Sequence, residues 1–228
     1  METEVKLGFK DKESLYKVAL SENFRKLCPD NSGFREPVLL ENTYLDTDDL
    51  AITNRGGAIR IRHYKGASKD SYEFTVKFGG GTSKGLHRRF EWNVKSNSGQ
   101  FSIESFRIAA TGGNDPYDLL NEVFKDITDD DLKIACFNSF NRTVYELRYN
   151  NSSIEACFDN GVIRNSDGTK TDEICELELE LIKGDINDLD EVTSILTDGN
   201  DCAPLDMTKY IRTLNMALGD RKGESNEE

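Results

Sequence analysis

Charged and apolar positions alternate along much of this chain. In the run 175–181, Glu176, Glu178 and Glu180 fall on one side of an extended backbone and Leu177, Leu179 and Leu181 on the other, because successive strand side chains point to opposite faces. Ile59 and Ile61 back Arg60 and Arg62 in the same way, Glu73, Thr75 and Lys77 share a face, and so do Arg89, Glu91 and Asn93. At the start of the chain Glu2, Glu4 and Lys6 are in step. Strands are therefore predicted near 2–9, 38–45, 57–64, 71–78, 87–95, 140–149, 152–158 and 173–183, with turns at Asn54–Gly57, Gly79–Gly81 and Asp159–Gly161. A helical rhythm takes over at 12–27, where Leu15, Val18, Ala19, Leu20 and Leu27 form a stripe behind an Asp11 or Ser14 cap, and again at 116–124, 186–197 and 206–218, the last running into Gly219.

The stretch 96–115 is at most a weak candidate for a domain boundary, because the strands on both sides of it carry the same kind of charged face. The prediction is one α+β domain over 1–218 with a flexible acidic tail over 219–228. Eight or so strands with antiparallel neighbours make a sheet large enough to curl or close.

The charged faces carry the chemistry. Ordinary solvated faces mix Ser, Thr, Gln and Lys, whereas these are dominated by Arg, Lys and Glu with apolar residues directly behind them. Closing such a sheet with its charges inward and its leucines outward under helices makes a charged tunnel, the inverse of an ordinary small barrel. Cations gathered in a low dielectric need carboxylates or a bound polyanion to offset them. Arg and Lys suit phosphate oxygens, clustered Glu suits Mg²⁺ or Mn²⁺, and metal-assisted phosphoryl transfer is the reaction class that uses both.

Composition narrows the partners. The 228 residues hold 42 Asp and Glu against 29 Lys and Arg, a formal net charge of -13, which argues against general affinity for nucleic acid or anionic lipid. No run approaches the roughly 20 apolar residues that cross a bilayer, and Met1 leads at once into Glu2 and Glu4, so the cytoplasm is the expected compartment. The five cysteines form no CxxC pair, and His63 and His87 are the only histidines, so neither a disulfide framework, a zinc site nor a His-based triad is suggested. Any metal must be held by oxygen. The loop 79–85 fails the P-loop pattern, because a strand and not a helix follows it, and Asp129–Asp131 lacks the EF-hand spacing.

Glu2-x-Glu4-x-Lys6 resembles the ExExK signature of the CYTH superfamily, the triphosphate tunnel metalloenzymes. The likeness extends through Tyr44–Thr47, Arg60-Ile61-Arg62, Lys77 before a glycine turn, Gly85-Leu86-His87-x-Arg89-x-Glu91, Arg142, Asp159-x-Gly161, Glu176-x-Glu178-x-Glu180 and Lys209. The stretches 85–94 and 174–181 are most similar to the bacterial inorganic triphosphatase branch, with Asn93 where many relatives carry a carboxylate, and no CHAD domain is expected.

The resemblance implies an eight-stranded antiparallel β-barrel with helices packed outside, and Mg²⁺- or Mn²⁺-dependent hydrolysis of tripolyphosphate to pyrophosphate and phosphate. It also implies that Lys6, Arg60, Arg62, Lys77, Arg89, Arg142 and Lys209 hold the triphosphate. Glu2, Glu4, Glu91, Glu176 and Glu178 would bind metal and position water, the catalytic set being Glu2, Glu4, Lys6, Glu176 and Glu178, with Glu180 and Asp159 as second choices. A class IV adenylyl cyclase, a thiamine triphosphatase and a non-catalytic polyphosphate- or nucleotide-binding module are the alternatives. The expected partner is a small triphosphate, with neither nucleic acid nor membrane, on a monomer or weak homodimer. Residue by residue, plainer roles stand beside these: Lys209 as a solvated rim lysine, Arg142 as an ion-pair partner of a tunnel Glu, His87 as structural, and Phe74, Phe90 and Trp92 as core.

Overall fold

Strands with one charged and one apolar face can pack apolar face to apolar face with the charge in water, but this chain instead rolls a single sheet shut. The computed structural model describes residues 1–28, 34–65, 71–111, 115–164 and 170–224. Eight strands form the wall: β1 (Glu2–Phe9), β2 (Arg35–Asp46), β3 (Gly57–Lys65), β4 (Ser71–Ser83), β5 (Leu86–Ser96), β6 (Lys133–Tyr149), β7 (Ser152–Arg164) and β8 (Thr171–Lys183). They run β1-β5-β4-β3-β2-β6-β7-β8 and back to β1, every neighbour antiparallel. Closure falls on β1, whose residues 2–5 pair with β5 and 4–8 with β8. A short ninth strand, β9 (Cys202–Pro204), continues the pairing of β1 beyond β5.

Two apolar layers cover the outside. Val5, Leu7, Ile154, Phe158, Leu177 and Leu179 are buried under α1 (Lys12–Leu20), α2 (Glu22–Leu27) and α6 (Ile186–Thr197). Ile59, Phe74, Val76 and Trp92 are buried under α4 (Ile103–Ala110) and α5 (Tyr117–Val123), beside α3 (Ala51–Asn54). Each fully buried Leu or Phe here contributes roughly 1.5–3 kcal/mol relative to exposure, so the alternation that exposes charge inside also supplies the packing outside.

Several elements differ from the sequence reading. The stripe over 12–27 is two helices: Asp11 caps the first through the Ser14 amide (2.7 Å), and extended Ser21 caps the second through Phe24 (3.1 Å). Asp159–Gly161 is not a turn but the middle of β7, where a Cβ on Gly161 would stand 2.5 Å from Phe140 Cβ; the glycine serves close approach of β6. Gly79–Gly81 is a bulge inside β4, and a Cβ on Gly80 would lie 1.6 Å from the Arg88 carbonyl oxygen. The hairpin itself turns at Lys84 and Gly85, both at positive φ (52° and 80°) as a two-residue β-hairpin requires. Helix α4 lies within 96–115, where no element is predicted from sequence, with Ile103, Phe106 and Ala110 buried.

The final helix, α7 (Lys209–Glu224), begins three residues later than the predicted 206 and its backbone runs through Gly219. Residues 219–224 of the expected tail are thus helical, and 225–228 lie outside the described residues. Its position is the larger correction. Helices α1 to α6 pack outside, but α7 lies on the inner face: Tyr210 stacks on Tyr44 (4.6 Å between centroids), and Thr213 meets Asn138. Tyr44 and Asn138 have the same strand parity as Arg60 and Arg62, which face the lumen. An inside helix still has an apolar stripe, here Tyr210 and Leu214 on Tyr44 and Cys136, so periodicity alone cannot say which side of a wall it covers.

Candidate active site

The barrel encloses a cavity of about 550 Å³ whose wall carries Glu2, Glu4 and Lys6 from β1, Arg60 and Arg62 from β3, Glu73 and Lys77 from β4, Arg89 and Glu91 from β5, Arg142 from β6, Glu155 from β7, Glu178 and Glu180 from β8, and Lys209 from α7. Register explains the grouping, since Glu4 stands opposite Glu180, Lys6 opposite Glu178, Lys77 opposite Glu91 and Arg142 opposite Asp159. Opposite charges directly across a ladder are within reach of each other.

The predicted cations fall into two kinds. Lys6 meets Glu4 at 2.9 Å and also Glu178; Lys77 sits between Glu2 (2.8 Å) and Glu91 (2.6 Å). Arg142 grips Asp159 with two bonds (2.7 and 2.6 Å) and reaches Glu178 at 2.5 Å, while Lys209 touches Asp159, Glu176 and Glu178 at 2.5–2.9 Å. These four are committed to carboxylates. Arg60, Arg62 and Arg89 are held by neutral acceptors. Arg60 donates to Thr75 Oγ1 (2.8 Å), with Glu73 farther off at 3.6 Å; Arg62 donates to Asn42 (2.9 Å), and Arg89 to His87 Nδ1 (2.7 Å). Their charge stays available to an anion in the lumen.

Electrostatics divides the carboxylates similarly. Against the penalty of burial, Lys209, Lys6 and Arg142 hold the Glu178 carboxyl well below its usual range, and Lys77 holds Glu91 low. Lys6 does the same for Glu4. Burial, with Glu4 and Glu91 nearby, pushes Glu2 up to about 8, although Lys77 opposes it. Burial and the charges of Glu4 and Glu91 push Glu180 up to about 7. Carboxyls so crowded keep protons at neutral pH unless a cation joins them.

Among the described residues no three acidic, His or Cys side chains already stand as a metal cluster. Yet Glu4 Oε1 is buried without a hydrogen-bond partner, and Glu2, Glu91 and Glu180 interact with it or with one another. An orphaned carboxylate oxygen beside crowded carboxyls fits a hard divalent cation.

Of the residues expected at the site, Glu176 is placed apart. Its oxygens go to Lys209 and Arg212 (2.5 Å each), and it does not line the cavity. Asp159 is fully buried as the shared partner of Arg142 and Lys209. His87 is buried, donates Nε2–H to the Leu205 carbonyl (2.7 Å), and offers Nδ1 to Arg89. Sequence reasoning missed Arg212, which ties α7 to Asp172 and Glu176; its spacing of one turn after Lys209 on a helix was the available signal. It also missed Asn42 and Asn138, whose side chains, among the described residues, hydrogen-bond to one another, Arg62 and Thr213.

A closed antiparallel barrel with facing carboxylates and arginines inside defines a charged-tunnel protein. The chain belongs to the CYTH family, whose domain model matches residues 2–213. It is 29% identical over 152 residues to an inorganic triphosphatase of Haemophilus influenzae, a match spanning 67% of this chain and 38% of that relative's length. In fold it is similar to a Hippeastrum protein described as having dominant triphosphatase activity (TM-score 0.65, 15% identity, 96% of this chain and 97% of the other). A Pyrococcus horikoshii protein has the same fold (TM-score 0.52, 14% identity, covering 94% and 99%). Among the described residues no helix is long and apolar enough to cross a membrane.

Proposed function

We propose that the chain hydrolyses inorganic triphosphate to pyrophosphate and phosphate inside the tunnel with a divalent metal, Mg²⁺ or Mn²⁺. The observation that carries this reading is one cavity lined by two unlike sets of side chains: Arg60, Arg62 and Arg89 on neutral holders, and the crowded carboxyls of Glu2, Glu4, Glu91 and Glu180. The first set suits phosphate oxygens, and the second suits a hard cation. The inorganic triphosphatase relative supports the same assignment.

In this reading Arg60, Arg62 and Arg89 bind the phosphate chain, and Lys77, Arg142, Lys6 and Lys209 complete the positive lining. Glu2, Glu4 and Glu91 would hold the metal, which when bound polarises a phosphoryl oxygen and acidifies water. Water oxygen attacks the terminal phosphorus in line, the bridging P–O bond breaks, and pyrophosphate leaves under the arginines. Glu180 is suited to take the water proton. Its carboxyl titrates at about 7 and, among the described residues, makes no ion pair; a base poised near the working pH is the effective one. Glu178 and Glu176 fix Lys6, Arg142 and Lys209 in place.

One stretch of wall favours a second reading. Val38, Leu40, Phe140 and Val144 line the same cavity and would accept the organic part of a nucleotide or thiamine triphosphate. The test is phosphate release from tripolyphosphate, ATP and thiamine triphosphate, each with Mg²⁺ or Mn²⁺, with cyclic AMP measured in parallel. Release from tripolyphosphate above the other two is the expected result. No release from tripolyphosphate with either metal rejects the proposal.

A further inference from the structure

Arg62 is held differently from the paired cations, and what holds it leads out of the lumen. Arg62 Nε donates to Asn42 Oδ1 (2.9 Å), Asn42 Nδ2 to Asn138 Oδ1 (3.0 Å), Asn138 Nδ2 to Thr213 Oγ1 (2.9 Å), and the Thr213 hydroxyl to the Lys209 carbonyl (2.6 Å). Asn42, Asn138 and Thr213 are each no more than 2% exposed, and none of them lines the tunnel cavity. The line joins a lumen arginine on β3 to the first turn of α7, the helix that delivers Lys209.

Its direction is forced. A guanidinium has donors only, so Asn42 must offer it the amide oxygen, and the Asn42 amino group must then face Asn138. The same logic turns Asn138 toward Thr213 and leaves the Thr213 proton for the backbone. Flipping either amide would bring donor against donor and leave buried polar groups unsatisfied. The neutral character of the holder matters equally. A carboxylate at position 42 would aim Arg62 but cancel its charge, whereas an amide aims it and leaves the charge for the lumen. The neighbours sharpen this, since Arg60 and Arg142 press on Arg62 and, among the described residues, no carboxylate pairs with it.

Resting on the triphosphate reading of the tunnel, we infer that Asn42, Asn138 and Thr213 are positioning residues, a one-way hydrogen-bond relay that aims the uncompensated Arg62 guanidinium and couples it to the seating of α7. The three do not touch substrate; they act through Arg62 and Lys209.

The informative variant is Thr213→Val, which keeps the side-chain shape, deletes the terminal hydroxyl and lies outside the lumen. In ¹⁵N NMR of the whole chain, the Arg62 Nε–H signal is identified by its loss in Arg62→Lys. Its exchange with solvent is expected to speed up about tenfold in Asn42→Leu and severalfold in Thr213→Val, and to recover in Thr213→Ser. By calorimetry without divalent metal, the tripolyphosphate dissociation constant rises about tenfold in Asn42→Leu and roughly threefold in Thr213→Val. In turnover the loss falls on KM. The double variant binds no more weakly than Asn42→Leu alone, because both break one chain. Asn42→Asp keeps the acceptor, so Arg62 Nε–H stays protected while tripolyphosphate binding weakens, a split that a packing role would not produce.

Unchanged Arg62 exchange in Thr213→Val, additive losses in the double variant, or unaltered binding in Asn42→Asp each overturns the relay. The two readings separate cleanly. If the wild-type protein binds no tripolyphosphate, the functional reading falls and the exchange measurements alone decide whether the relay exists.

Discussion

Glu178 is the carboxylate on which three buried cations converge, so Glu178→Gln is the most discriminating single change. The side chain is 11% exposed and meets Lys6, Lys209 at 2.8 Å and Arg142 at 2.5 Å. Glutamine preserves its shape and removes its charge. Breaking a buried pair costs about 3–5 kcal/mol, and the lower end applies because Lys6 retains Glu4, Arg142 retains Asp159, and Lys209 retains Asp159 and Glu176. For a chain of 228 residues, about 3 kcal/mol lowers the melting temperature by roughly 6–12 °C. The lumen also gains one net positive charge, so an anion that binds only the folded state stabilises the variant more than the wild type. The assay is thermal unfolding at low salt with and without tripolyphosphate, alongside phosphate release. Lower stability, a larger tripolyphosphate-induced rise and lost turnover are expected together. A melting temperature within about 2 °C of wild type, with an equal ligand response, would refute the hub assignment and the balance of charge built on it.

The remaining predictions concern the other charged groups. Glu180 titrates at about 7 in the fold against 4.5 in a free chain, so between those values the folded state holds a proton the unfolded state has lost, and stability falls as pH rises through 4.5–7. The full shift corresponds to about 3 kcal/mol, and partial exposure reduces it to roughly 1–2 kcal/mol. Denaturant titrations without metal should show that slope flattened in Glu180→Gln; an unaltered slope rejects the assignment. Arg60→Ala should weaken tripolyphosphate binding by roughly 10- to 100-fold with little change in stability, whereas Arg142→Ala should destabilise the fold by about 3 kcal/mol, since buried Asp159 loses both bonds from Arg142 and is left to Lys209. Calorimetry and denaturant melts of the two variants check the contrast, and equal effects would contradict the division into free and committed cations.

Much of this architecture is legible from alternation alone. Glu176 to Leu181 and Ile59 to Arg62 announce strands with one charged face, and the density of Arg, Lys and Glu on those faces, rather than the alternation itself, points them toward a shared interior. What periodicity cannot carry is register. Nothing in the linear order says that Gly8 will stand opposite Glu176 while Lys6 stands opposite Glu178, so Glu176, read with its neighbours as a metal ligand, lies away from the cavity against Lys209 and Arg212. Gly161 looked like punctuation because a glycine beside Asp and Asn usually is; its reason is the approach of Phe140 from the adjoining strand. The relay residues were invisible for the same cause, since Asn42, Asn138 and Thr213 are 75 or more positions apart and neutral.

The placement of β1 has a consequence for how the molecule is made. Its residues 2–9 are made before every other strand of the barrel, yet one of their partners is β8, complete only at residue 183. Through most of synthesis the first strand has an open edge, and loop-closure entropy must be met before the closing pair is rewarded. A nascent chain halted before β8 therefore presents an alternating strand with a bare row of amides and carbonyls. That is the kind of edge that pairs with another chain. Translation speed across 171–183 and chaperone cover of β1 thus become determinants of yield, independent of how stable the finished barrel is.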